Sequence, residues 1–190
     1  MLSSQSGQSS QSAWSKRLPV WLVVWAPALL LVAAVAVESE TLFGADHTTG
    51  PLRALYESIH GPANPHHWWL VHLLIRKTCH LLGYGLVSAA LFHSWWLTLL
   101  PRSSNPLPTD PLHGVSLLAL RWKCHLLAIF CTVLVAAADE YHQTFLPNRS
   151  GSVWDVLIDG AGAIVAQLLI ALGVAVWAHA EVLPKTPNPR

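Results

Sequence analysis

The chain has 190 residues, of which 53% are hydrophobic, 11% are charged and ten are tryptophan. Soluble domains carry roughly 25% charged residues, so this composition points to an integral membrane protein. A formal net charge of +1, with no basic or acidic block, excludes a nucleic-acid-binding surface and a charged tail.

Residues 1–15 are rich in Ser and Gln without an apolar period, the mark of a disordered segment. With Lys16 and Arg17 they form a tail (1–17), ahead of a transmembrane domain at 18–180 and a second polar tail at 181–190. The first apolar run, 19–37, has about the 20 residues that a bilayer crossing needs. A cleaved signal peptide is the rival reading, because basic residues precede the run and Ala34-Val35-Ala36 resembles a cleavage site. The run is nevertheless longer than the roughly 7–15 residues of a signal-peptide core.

Residues 38–69 carry Glu38, Glu40, Asp46 and Glu57 against Arg53, and 52–59 suit a short helix lying on the membrane. A second span is expected at 70–99. Arg76, Lys77 and His80 interrupt it, so its fully apolar part starts near Leu81 and the earlier residues sit at the interface. A proline-rich link at 101–111 leads to a third span at 117–138, and a fourth follows at 153–178. The expected fold is all-α: a four-helix transmembrane bundle with room for a short interfacial helix before the second span.

Basic residues in short flanks favour the cytoplasm. Lys16, Arg17, Arg102, Arg121, Lys123, Lys185 and Arg190 fall on one side of four spans, which places both termini in the cytoplasm. Trp68, Trp69, Trp95, Trp96, Trp122, Trp154 and Trp177 lie near span ends and read as an interfacial belt. Cys79, Cys124 and Cys131 sit in apolar segments without the close pairing of zinc or redox motifs, so they read as small buried hydrophobes.

The same topology gathers the unusual polar residues at one face: Arg76, Lys77 and His80 from span two, and Asp139, Glu140, Arg149 and Asp155 from the ends of spans three and four. A charged side chain at the bilayer centre costs about 2.5–3.5 kcal/mol on insertion scales, so such residues are paired, water-exposed or functional. At 3.6 residues per turn Lys77, His80 and Tyr84 form one stripe. Asp139 and Gln143 are a turn apart, and Asp155, Asp159, Gly162 and Ala166 share a face. The short 144–152 turn, with Pro147, Asn148 and Gly151, predicts an antiparallel hairpin that brings Asp139 and Glu140 near Asp155. Gly162 and Ala166 suit close helix packing.

Two readings of the cluster stay open. In one, Arg76, Lys77 and Arg149 neutralise the carboxylates and pin the helices together; opposite charges about 4 Å apart are worth around 4 kcal/mol at an effective dielectric of 20, before desolvation. In the other, they form an outward pocket for a polar group on a lipid or envelope polymer, with Glu140, Asp139 or His80 as candidate acid or base. No metal is expected, since His66, His67, His72 and His80 lack the helical i, i+4 pair of zinc sites. No cofactor motif, phosphate loop or Ser-His-Asp order is present.

With these residues identified, the chain resembles VanZ-like membrane proteins. The family's Lys, His three residues on and Tyr four further appear as Lys77, His80 and Tyr84. Its second pattern is matched by Asp139, Glu140, Gln143, Pro147, Arg149, Asp155 and Gly162, so the resemblance covers about 77–166. The chain departs from the pattern at Arg76, often acidic in the family, at Asn148 for the turn glycine, at Asp159 for Asn, and at Ala166. Asn148 still admits the left-handed turn conformation, whereas Arg76 and Asp159 change the charge balance of the cluster.

The resemblance implies a multi-pass bacterial inner-membrane protein with an effect on the cell envelope, since the family takes its name from a member associated with low-level resistance to the glycopeptide teicoplanin; it does not deliver a reaction. It singles out Lys77, His80, Asp139, Glu140, Gln143, Arg149 and Asp155, and with Tyr84 and Asp159 from the same helix faces these make up the candidate ligand-binding set. The expected partners are the lipid bilayer and a lipid-linked or cell-wall ligand, with the oligomeric state left open. A hydrolase or transferase of a lipid-linked or phosphate-bearing substrate is the enzyme alternative, and a structural charge network the other.

Overall fold

The computed structural model describes residues 19–40, 45–100, 111–147 and 149–182. The expected N-terminal tail, most of the proline-rich link and of the C-terminal tail, and Asn148 lie outside the described residues. The fold is all-α, with five helices and no strand among the described residues: α1 Val20–Glu38, α2 Ala45–His60, α3 Pro65–Leu99, α4 Pro111–Gln143 and α5 Val153–Val182.

Among the described residues three helical segments are long and apolar enough to cross a membrane: Val20–Glu38, Ser116–Gln143 and Val153–Ala180. The expected second span is a helix but is not among them. Its first half carries His66, His67, His72, Arg76, Lys77 and His80, which lowers the hydropathy of a segment otherwise long enough. It also starts earlier than 70, because Asn64 caps it by accepting a 2.9 Å hydrogen bond from the His66 N–H and Pro65 supplies a pre-set first turn.

α3 is the spine of the molecule and packs against all four other helices. Its 35 residues make a rod of about 52 Å at 1.5 Å per residue. α1 lies along its C-terminal half: Trp25 stacks edge-on against Trp95 at 5.0 Å and donates to Thr98 Oγ1 at 3.2 Å, while Ser94 Oγ donates to Val24 O at 3.0 Å. Trp95 therefore serves helix packing, and Trp68 is buried beside Tyr56 and His72; of the expected belt, Trp69, Trp122, Trp154 and Trp177 are the exposed members. Cys124 is buried as expected, but Cys79 is exposed.

The expected helix before span two is present as α2, longer than 52–59. Arg53 Nε donates to Glu57 Oε1 at 2.9 Å, and the same carboxylate oxygen accepts from Ala63 N at 3.1 Å. These bonds fix the bend at Gly61, whose φ of 80° is a left-handed conformation that glycine adopts without strain. Leu55 and Ile59 of α2 are exposed.

The buried apolar core is made of Ala28, Val87, Leu91 and Ala128, while Leu126, Phe130, Leu134, Leu168, Leu169 and Leu172 point outward. Large residues outside and small ones inside is the arrangement expected where lipid, not water, is the solvent. α3 and α5 approach closely: a Cβ on Gly162 would collide with the backbone of Leu81, and one on Gly85 would lie 3.3 Å from Gly162 O. A buried polar network ties the same helices to α4. Gln167 Nε2 donates to Ser88 O at 2.9 Å and to Ser88 Oγ at 2.8 Å, and its Oε1 lies 2.6 Å from His125 Nδ1, the imidazole stacking on Phe92 at 4.4 Å. Because Gln167 Oε1 can only accept, His125 carries its proton on Nδ1.

Candidate functional site

The polar stripe on α3 faces the ends of α4 and α5. Lys77 pairs with Asp155, His80 Nδ1 lies 3.4 Å from Asp159 Oδ1, and Tyr84 OH donates to Asp139 Oδ2 at 3.1 Å. Three residues spaced for one helix face thus meet three carboxylates, two of them a turn apart on α5.

Asp139 Oδ2 is the most heavily used acceptor. Besides Tyr84 it receives Ser39 Oγ at 2.7 Å and Gln143 Nε2 at 3.0 Å, so α1, α3 and α4 converge on one oxygen. Glu140, next in sequence, is buried and turns toward α5: its Oε2 accepts from Ser152 N at 2.7 Å, at the residue that precedes the helix. A carboxylate suits that position, where free N–H groups carry partial positive charge. The loop can come this close because residue 151 is glycine; a Cβ there would collide with Glu140 O.

Arg149 does not neutralise a carboxylate. Its NH2 group donates to Glu38 O at 3.1 Å and to Glu40 O at 2.8 Å, stapling the hairpin to the end of α1, while its buried Nε has no partner among the described residues. Burial, and then the positive charge of Arg76, push this guanidinium below its ordinary pKa, against the pull of Asp139, Glu140 and Glu38. Arg76 makes no hydrogen bond or ion pair among the described residues. Of the three cations that the neutralising reading sets against the acids, Lys77 alone pairs with one among the described residues.

These side chains surround a cavity of about 200 Å³ lined by Leu73, Arg76, Lys77, His80, Gln143, Arg149, Ser150 and Asp155. His80 and Arg149 also line two smaller clefts beside it. Behind the cavity wall, His80, Glu140 and Asp159 bring one donor atom each to within 4.8 Å of one another.

Among protein-family models, that of VanZ/LLP1 matches residues 18–174. The chain belongs to the VanZ/LLP1 family. Neither the curated proteins nor the solved structures give a match. Membership, together with three long apolar helices, makes this a VanZ-like membrane protein.

The structure brings all nine of the candidate residues of the VanZ-like pattern into one cluster or its immediate wall: Lys77, His80, Tyr84, Asp139, Glu140, Gln143, Arg149, Asp155 and Asp159. Sequence reasoning missed Ser39, which supplies the shortest hydrogen bond to Asp139, and Ser152, whose N–H engages Glu140. For Ser39 there was no signal, because its partner is 100 positions away. Ser152 was legible in principle as a Ser just ahead of an apolar helix.

Proposed function

We propose that this VanZ-like protein crosses a bacterial inner membrane as a four-helix bundle of α1, α3, α4 and α5, with both termini in the cytoplasm, and that its cavity opens on the extracytoplasmic side to bind the anionic headgroup of a lipid-linked cell-envelope component. The observation that carries this reading is the cavity lining: Arg76, Lys77 and Arg149 contribute three cations against the single carboxylate of Asp155. Arg76 has no counter-ion among the described residues, so an incoming anion would be its partner. Guanidinium groups suit phosphate oxygens through paired, charge-assisted hydrogen bonds. The cavity, at about 200 Å³, is smaller than the roughly 300–1,000 Å³ of sites for drug-sized ligands. It fits a headgroup fragment, with the lipid chain left along the apolar helix faces. Occupancy of an envelope precursor here would alter the envelope and, with it, susceptibility to teicoplanin-type glycopeptides.

The test uses the full chain in nanodiscs, titrated with a polyisoprenyl phosphate and with the matching neutral polyisoprenol. The phosphate should bind and the alcohol should not, and Arg76→Ala should weaken phosphate binding at least tenfold without lowering thermal stability. Equal binding of the alcohol, or undiminished binding by Arg76→Ala, would overturn the reading.

A second reading, a hydrolase or transferase of the same class of lipid-linked or phosphate-bearing substrate, is favoured by one observation. His80 both lines the cavity and contacts the buried Asp159, placing a proton carrier beside the bound group. It predicts an envelope lipid or wall precursor whose level changes when the wild type is overexpressed and does not change with Glu140→Gln at matched membrane levels. Identical profiles would rule against it. The structural-network reading has less support, because neither Arg76 nor Arg149 pairs with a carboxylate among the described residues.

A further inference from the structure

Behind the cavity the charges do not balance by hydrogen bonding. Asp159 is fully buried, yet among the described residues neither of its carboxylate oxygens has a hydrogen-bond partner; Glu140 is 4% exposed and its Oε1 is likewise unpartnered among them. His80 Nδ1 approaches Asp159 Oδ1 at 3.4 Å without forming a hydrogen bond. Four unsatisfied polar atoms on three side chains therefore converge on one small volume. Buried carboxylates are costly unless a cation or hydrogen-bond donors compensate them. Apart from the His80 imidazole, at ion-pair distance from Asp159, the neighbouring cations are engaged elsewhere or face the cavity: Lys77 is on Asp155, Arg149 is on the backbone carbonyls of Glu38 and Glu40, and Arg76 lines the cavity.

We propose that His80, Glu140 and Asp159 hold a divalent metal ion, of the zinc type. The three donor atoms lie within 4.8 Å of one another; around an ion with bonds of roughly 2.0–2.2 Å they would sit about 3.4 Å apart, so the triad closes by small side-chain rotations. One imidazole nitrogen and two carboxylate oxygens form a mixed donor set that suits Zn²⁺ ahead of Mg²⁺ or Ca²⁺, which prefer all-oxygen shells. Two of the three ligands are already oriented: Glu140 is fixed through its other oxygen by Ser152 N, and His80 stacks on Tyr84. Such support of ligands from outside the metal shell is the usual accompaniment of a metal site. Three protein ligands also leave a coordination position unfilled, and His80 borders the cavity, which gives the ion both its entry path and access to whatever the cavity holds. The site stands on these three side chains alone and does not depend on the nature of the ligand in the cavity.

The experiment uses the untagged full chain in detergent, stripped with a chelator and then equilibrated with Zn²⁺, with bound metal counted by elemental analysis and affinity measured by competition with a chromophoric chelator. The wild type should retain one equivalent per chain, and Asp159→Asn and His80→Gln should each weaken binding at least a hundredfold. Zn²⁺ should raise the melting temperature of the wild type but of neither variant. The chain holds 11 histidines, so the variants decide whether a bound ion is the one proposed: zinc retained equally by both places it elsewhere and overturns the assignment, as does a wild type that retains none. If Asp159→Asn fails to fold, His80→Gln carries the same test at a partly exposed position.

Discussion

Gly162→Val is expected to leave no folded protein in the membrane, the largest effect of any single substitution outside the polar cluster. A Cβ at this position meets Leu81 O, C and Cα, all of them backbone atoms of α3 that no rotamer change can move aside. Even Gly162→Ala must push α3 and α5 apart, and because α3 packs on every other helix, the displacement spreads through the bundle. Overpacking typically costs about 1–3 kcal/mol where side chains can yield, and here they cannot, so alanine should cost at least the upper end of that range. Gly173→Ala is the control: nothing lies within 4 Å of its added methyl, and replacing a mid-helix glycine should stabilise by about 0.5–1 kcal/mol. The fraction of monodisperse protein surviving a heating series in detergent separates the three variants; a Gly162→Ala chain as stable as wild type would show that the close crossing is not required.

Arg149→Ala should lose two properties at once. Its guanidinium supplies both hydrogen bonds that hold the carbonyls of Glu38 and Glu40 against the hairpin, and charged-group hydrogen bonds of this kind are worth about 1.5–3 kcal/mol each, less at a partly exposed site. A stability loss of about 2 kcal/mol is expected, together with at least a tenfold loss of phosphate binding. Arg76→Ala, lacking any such bond to lose, should show the second effect without the first. Arg149→Lys should recover part of the stability, since an ammonium can reach one carbonyl but cannot span both with a planar fork. If Arg149→Ala and Arg76→Ala proved equally destabilising, the contrast drawn between a stapling and an unpaired arginine would be wrong.

The contrast between these two arginines also shows where sequence reasoning reaches and where it stops. The stripe of Lys77, His80 and Tyr84 was legible because helical spacing alone puts the three on one face, and the hairpin because Pro147, Asn148 and Gly151 leave the chain little else to do. What spacing cannot supply is the partner. One of the two readings left open set Arg149 against carboxylates; it instead meets backbone oxygens more than a hundred positions away, a contact with no residue-type signature. The expected second span does not stand out by composition, since histidines and cations occupy half of a helix whose length is ample, and the start of that helix was announced by Asn64-Pro65, a capping signal that apolar periodicity does not register. Absence of a metal was expected because no two histidines are paired along a helix; the donors that do converge come from three different helices, which no linear motif encodes.

The length of α3 has a consequence for how a ligand would arrive. A rod of about 52 Å exceeds a hydrocarbon core of about 30 Å by some 20 Å; in the four-span topology proposed above, its apolar C-terminal half would lie in the bilayer and the turns that carry Arg76, Lys77 and His80 would stand at the depth of the lipid headgroups. A lipid-borne ligand would then reach the cavity sideways, by diffusion in the plane of the membrane, without leaving it. Its occupancy would follow its mole fraction among the surrounding lipids, so a scarce carrier lipid would have to outcompete the common phospholipids for the same three cations.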